Sequence, residues 1–123
     1  MTQAKLEELL KIDNESYNLL RVLTLFMKLD NTQDVPLQAM AVFWYVATYQ
    51  NCSKNDIKEY FGMSKASVSR MTDYISRYHR LGKAGLGLIS KEQDPKDKRR
   101  TLLKLTRKGK DLIAVSYTHL TLP

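Results

Sequence analysis

The chain has 123 residues, 43% of them apolar, and a formal net charge of +7. That is enough for one domain with one core, and no apolar run approaches the roughly 18 residues that would span a membrane. A lone cysteine, Cys52, excludes an intrachain disulfide and a cysteine-based zinc site.

The charge is unevenly placed. Residues 1–52 hold four Lys/Arg against six Asp/Glu, whereas residues 53–110 hold sixteen against six. A contiguous basic half is the expected footprint of a polyanion; the plainer alternative is a soluble basic surface. The N-terminal MTQAKLEELLK is polar and amphipathic rather than a signal peptide, so a cytoplasmic protein is expected.

Residues 3–29 read as helical, with Leu6, Leu9, Leu10, Tyr17, Leu20, Leu23, Phe26 and Met27 as an apolar stripe. Asp13, Asn14 and Glu15 interrupt it, which suggests a kink or two helices. A stripe this wide either covers the core or pairs with a second copy of itself. Residues 28–34 form a loop, and Pro36 suits the first turn of the next helix. There Leu37, Met40, Ala41, Trp44, Ala47 and Thr48 share a face, with Phe43, Tyr45 and Tyr49 on the rest. Apolar nearly all round, this helix is expected to be central, its aromatic residues core rather than ligand box.

Ser53 to Arg80 reads as two helices joined by a tight turn. Ser53 with Asp56 is an acidic variant of the capping box. Ile57, Tyr60 and Phe61 follow at helical spacing, Gly62 supplies the positive φ that ends a helix, and Ser64 caps the second helix. Val68, Met71, Tyr74, Ile75 and Tyr78 give that helix one apolar face. Its other face opens with Lys65, Ala66, Ser67, Ser69 and Arg70, which are small, polar or basic. A recognition helix needs such residues in the major groove. The bland alternative is a helical hairpin with a solvated face.

Residues 81–87 carry three glycines and read as a mobile turn. They lack the spacing and the following Ser/Thr of a phosphate-cradling loop. Residues 88–91 and 100–105 read as two strands around a turn, with Leu103 and Leu105 on one face. Lys96, Lys98, Arg99 and Arg100 make its tip a basic finger, suited to phosphate contact or to insertion of an arginine in a narrow minor groove. A solvated hairpin tip is the alternative. Thr106 caps a further short helix whose first turn is basic, an unfavourable placement unless phosphate lies nearby. Residues 116–123 show no helical period, read as strand or coil, and look foreign to the domain.

There are no paired carboxylates in an apolar setting, no Ser/His/Asp arrangement and no metal cluster. His79 and His119 stand alone as surface residues, so neither an enzyme nor a cofactor is expected. Cys52 sits beside a helix N-terminus, where a thiolate is favoured; the competing reading is a buried, inert thiol.

Helix, turn, helix, basic ribbon and helix make a winged helix-turn-helix, mainly α with a small β-hairpin wing. At this point the chain resembles the MarR-type bacterial transcriptional regulators. DIKEYFGMSKASVSR (56–70) is similar to the family's helix-turn-helix, GLISK (87–91) to its first wing strand, DPKDKR (94–99) to its wing signature and LTRKG (105–109) to the start of its next helix. Where the family has two arginines in that signature, this chain has Lys98 and Arg99. The segment from His79 to Leu86 looks inserted, and the family's long closing helices are cut short.

The resemblance implies one domain over residues 1–115, with the helix-turn-helix at 53–80 and the wing at 87–105. Residues 3–29 and 106–115 would pair two subunits. It implies a sequence-specific regulator of the repressor type, a homodimer on double-stranded DNA, open to a small-molecule effector. Ser64, Lys65, Ala66, Ser67, Ser69 and Arg70 would meet DNA from the recognition helix, and Lys96, Lys98, Arg99 and Arg100 from the wing, with Asp97 bracing Arg99. The rival is a winged-helix protein-interaction module without DNA binding.

Overall fold

The computed structural model describes residues 2–30, 34–76 and 84–121, with the side chains of all of these except 7, 9–14 and 115–121. Five helices are present among them: α1 (Gln3–Met27), α2 (Leu37–Thr48), α3 (Lys54–Phe61), α4 (Lys65–Ile75) and α5 (Arg107–Thr121). Three strands, β1 (Cys52–Ser53), β2 (Ile89–Gln93) and β3 (Thr101–Leu105), form an antiparallel sheet in the order β1-β3-β2.

The helix α1 runs unbroken through Asp13, Asn14 and Glu15, so there is one helix and not two. None of the three is Gly or Pro, and their modest propensity deficit does not break a 25-residue helix. Pro36 stands one position earlier than expected. It is the N-cap of α2, and its carbonyl accepts the Met40 N–H.

The buried face of α2 also differs from expectation. Leu37 is 77% exposed, and full burial falls instead on Ala39, Val42, Phe43 and Val46. A helix apolar all round carries two competing stripes, and packing against α4 and β3 selects between them. Its central position is as expected. Around it, Phe26 of α1 meets Phe43 edge-on at 5.6 Å, and Ile57, Val68, Ile75, Leu88, Ile89 and Leu103 complete a core excluded from solvent. Full burial of side chains this size contributes roughly 1.5–3 kcal/mol each before entropy is counted.

The wing is anchored rather than free-standing. The strand β1, absent from the expected two-stranded ribbon, pairs Cys52 with Leu103 and Ser53 with Leu102. The strand β2 pairs with β3 from Ile89↔Leu105 to Gln93↔Thr101. The helix α4 ends at Ile75, short of Arg80; Tyr78, His79, Arg80 and the first residues of the glycine-rich turn, 81–83, lie outside the described residues. The chain at 86–88 folds back on the end of α4. Leu86, Gly87 and Leu88 donate to the carbonyls of Tyr74, Ser76 and Ile75.

The cap of α5 is as expected and ties the helix to this junction. Thr106 Oγ1 accepts the Gly109 N–H at 3.1 Å and donates to the Gly87 carbonyl at 2.6 Å. The helix then runs to Thr121, so residues 116–121 are helical and not strand or coil. With neither Gly nor Pro between Gly109 and Thr121, nothing in that stretch stops propagation from a capped first turn.

Gly109 is buried, and a Cβ there would stand 2.2 Å from the Leu88 carbonyl oxygen. Alanine normally favours a helix over glycine by about 1 kcal/mol. Here Gly109→Ala is expected to destabilise, by about 2 kcal/mol or more, because the Cβ would collide with a backbone carbonyl oxygen that cannot swing aside. Urea denaturation of the variant reads the sign directly.

Candidate nucleic-acid interface

The helix-turn-helix is set by local chemistry at three points. Ser53 Oγ accepts the Asp56 N–H at 3.2 Å, and Asp56 Oδ2 accepts the Ser53 N–H at 2.9 Å, so the capping box is complete in both directions. Gly62 ends α3 in the left-handed region at φ 66°. Ser64 caps α4, its Oγ accepting the Ser67 N–H at 3.1 Å. Caps of this kind are each worth about 1 kcal/mol.

The helix α4 then separates its faces as the spacing requires. Val68, Thr72, Tyr74 and Ile75 are buried, and Thr72 Oγ1 returns its hydrogen bond to the Val68 carbonyl at 2.9 Å. Tyr74 reaches across to α1's exit, donating to Asp30 Oδ2 at 2.7 Å. On the outer side Ser64, Lys65, Ala66 and Arg70 are exposed, while Ser67 and Ser69 are half-buried. Arg70 Nη2 donates to Ser67 Oγ at 3.2 Å, so the guanidinium lies back along its own helix.

The wing turn is built by its two aspartates. Asp94 Oδ1 accepts the Lys96 N–H at 2.9 Å, and Asp97 Oδ1 accepts the Arg99 N–H at 3.0 Å. The expected brace is present, with Arg99 Nε 3.5 Å from Asp97 Oδ1, but the Arg99 side chain remains 93% exposed. An ion pair this exposed contributes little. Lys96 and Lys98 are exposed alongside it. Arg100 is distinct: it turns toward α3, with Nη2 3.6 Å from Asp56 Oδ2. Lys104 and Glu92 pair at 2.7 Å on the sheet surface.

Two clefts border these elements. One of about 390 Å³ lies between α3 and α4, lined by Lys54, Asn55, Lys58, Lys65, Val68 and Ser69. The other, of about 560 Å³, reaches from α3 to the wing and includes Arg99 and Arg100. They share Lys54, Asn55 and Lys65, so they form one basic trough. Lys54 and Lys58 were not singled out by the sequence reading. A signal was available: like charges at i and i+4 on a short helix are unfavourable unless something offsets them. Burial and the neighbouring Lys91 ammonium hold Lys54 below the usual lysine range, and Lys91 itself is ion-paired with Asp73 of α4.

Among the described residues no group of three or more His, Cys, Asp or Glu is arranged to hold a metal, and no helix is long and apolar enough to cross a membrane.

The helices α3 and α4 with their tight turn, followed by an anchored basic hairpin, define a winged helix-turn-helix. The chain matches no family model and no curated protein sequence. Its fold is that of the MarR-type regulators. It is similar to S. aureus MepR in a MepR–DNA complex, at 19% identity over 94% of this chain and 82% of MepR, with a TM-score of 0.62. It is also similar to a MarR-like transcriptional regulator from Thermotoga maritima, at 23% identity over 90% of this chain and 74% of that one, TM-score 0.59. Streptococcus pneumoniae FabT in complex with DNA matches at 14% identity over 95% and 75%, TM-score 0.60.

Cys52 is buried in β1, and burial together with the nearby Asp56 carboxylate pushes its thiol up to about 11. That favours the inert reading over a redox sensor, since reactivity follows the thiolate. At pH 8, alkylation of the native protein by iodoacetamide should be on the order of a hundredfold slower than of the urea-unfolded chain. Mass spectrometry of timed samples measures the ratio, and comparable rates would reopen the sensor reading.

Proposed function

We propose that this chain is a sequence-specific DNA-binding transcriptional regulator, a non-enzymatic repressor acting in the cytoplasm as a homodimer. The observation that carries the reading is the two-faced α4: Val68 and Ile75 hold it to the core while Lys65, Ala66 and Arg70 stand exposed beside an exposed basic wing. The likeness to folds solved with DNA supports it, as does the charge concentrated on residues 53–110. In this reading α4 enters the major groove, where Lys65, Ser67 and Arg70 meet base edges or flanking phosphates. Ser64, Ala66 and Ser69 line the approach. Lys96, Lys98 and Arg99 meet the flanking backbone or minor groove. Arg100, turned toward Asp56, meets the DNA backbone from the base of the wing rather than from its tip.

Selection of bound duplexes from a random pool tests the reading and yields the site. On the selected site Arg70→Ala should lose about 1–3 kcal/mol, the worth of a bidentate contact to guanine, and lose much less on random duplex. Equal losses on both would make Arg70 a phosphate contact. A melting curve of the variant separates either outcome from misfolding.

The dimer is argued from α1. Leu19 and Leu20 are each 59% exposed and Met27 67%, more apolar surface than a lone domain of this size needs to show. Pairing of α1 and α5 with those of a second copy would cover it. Sedimentation equilibrium should report a dimer at micromolar concentration, and Leu20→Glu/Leu23→Glu should shift it to monomer. A wild-type protein that stays monomeric at high micromolar concentration would remove the dimer from the proposal.

A further inference from the structure

We propose that the basic trough running from the α3–α4 cleft to the base of the wing seats the sugar-phosphate backbone of one strand of duplex DNA, with Lys54 and Lys58 as phosphate contacts. The inference rests on the DNA-binding reading above and adds to it a surface and two residues that lie outside both the recognition helix and the wing tip.

The trough is continuous because its two parts share Lys54, Asn55 and Lys65. Five cations border it: Lys54 and Lys58 from α3, Lys65 from α4, and Arg99 and Arg100 from the wing. Only two carboxylates stand among them, and both are engaged. Asp56 accepts the Ser53 N–H and faces Arg100, and Asp97 accepts the Arg99 N–H. The local charge is therefore positive by a wide margin. Lys54 sharpens the point. It is partly buried beside Lys91 and Lys65; burial and those ammonium groups oppose its charge, and the Asp73 carboxylate, already paired with Lys91, offsets them only in part. A cluster in which cations outnumber the carboxylates beside them is relieved by a phosphate more than an isolated surface lysine is. The trough also joins the two elements that would enter the grooves. A strand passing from the major groove at α4 to the wing must cross the surface between them, and phosphates rather than bases face the protein there.

The test is fluorescence anisotropy with a random-sequence duplex over a salt series, comparing wild type, Lys54→Gln/Lys58→Gln and the charge-preserving Lys54→Arg/Lys58→Arg. With both lysines on phosphates, the Gln variant should flatten the slope of log affinity against log salt by about 1.8, at roughly 0.9 per phosphate. The loss should be uniform across sequences, and the Arg variant should keep the wild-type slope. Thermal melts establish that the variants fold. If the double Gln variant does not, Lys58→Gln alone, at an exposed position, should flatten the slope by about 0.9. Wild type that binds duplex with a slope unchanged in the Gln variants overturns the trough and leaves the DNA-binding reading standing. Wild type that binds no duplex at any salt overturns the DNA-binding reading itself. Inorganic phosphate that raises the melting temperature of wild type but not of the Gln variant, with the duplex slope unchanged, would make this a small-anion site and overturn the proposal.

Discussion

The placement of the wing depends on two residues of β1. Asn51 takes a left-handed φ of 65°, and its N–H reaches the Leu103 carbonyl at 3.1 Å. Cys52 and Ser53 then pair with Leu103 and Leu102. Ser53 is at once the last residue of the strand and the N-cap of α3, so no linker separates sheet from helix-turn-helix. The carboxylate of Asp56 closes the capping box on Ser53 and faces Arg100 at the root of the wing. One side chain thus touches the helix cap, the strand end and the hairpin. Without β1 the wing would be a two-stranded ribbon, a unit only marginally stable by itself. With it, a change in wing position carries over into the start of α3.

The second anchor is at the other end of the sheet. Thr106 receives the start of α5 and grips the Gly87 carbonyl, while Leu88 hydrogen-bonds both the end of α4 and, through its own carbonyl, Thr106. Gly109 lets α5 approach this junction at a distance no side chain would allow. The helix α4 therefore has its C-terminal end fixed by the same backbone that launches the wing and the closing helix. Its N-terminal end is fixed by Ser64 and the glycine turn. A rigid helix between two fixed ends holds outward-facing side chains in defined directions, which the proposed groove readout would require.

What was legible in the sequence was what local chemistry determines. The Ser53–Asp56 box, Gly62, Ser64 and Thr106 act on neighbours three or four residues away, and each acts as the spacing implies. Val68, Tyr74 and Ile75 of α4 were legible because polar residues flank them and give the stripe contrast, whereas Thr72 is fully buried where the half-buried Met71 was expected to be. The face of α2 was not, because a helix with few polar residues carries no contrast, and only the partners α4 and β3 choose a side. The strand β1 was invisible because two residues have no period. Its existence depends on Leu102 and Leu103, fifty residues away in sequence. Residues 116–121 were misread for a related reason: Thr-rich sequence has weak propensity of either kind, and a helix already nucleated at Thr106 decides it. Of the candidate site, the outward residues of α4 and the wing cations could be named from the sequence. That Arg100 turns back to Asp56, and that Lys54 and Lys58 share a cleft with Lys65, depends on how α3 sits against the hairpin.

The longest element bears on the assembly. A 25-residue helix spans about 37 Å, yet among the described side chains of α1 only Phe26 is fully buried and only Val22 packs beside it among the partly buried apolar residues. Helices in water owe most of their stability to a packed apolar face rather than to propensity. Leu19, Leu20 and Leu23 provide such a face and leave it open. The same geometry has a consequence for recognition. Under the proposed function a single α4 would present only a few base-reading positions, too few to select one site from a genome. Two copies related by a two-fold axis double the number of contacts and impose a half-site spacing near one helical turn, about 34 Å. Under the proposed function, the apolar surface of α1 and the short reading surface of α4 therefore call for the same thing, a second copy of this chain.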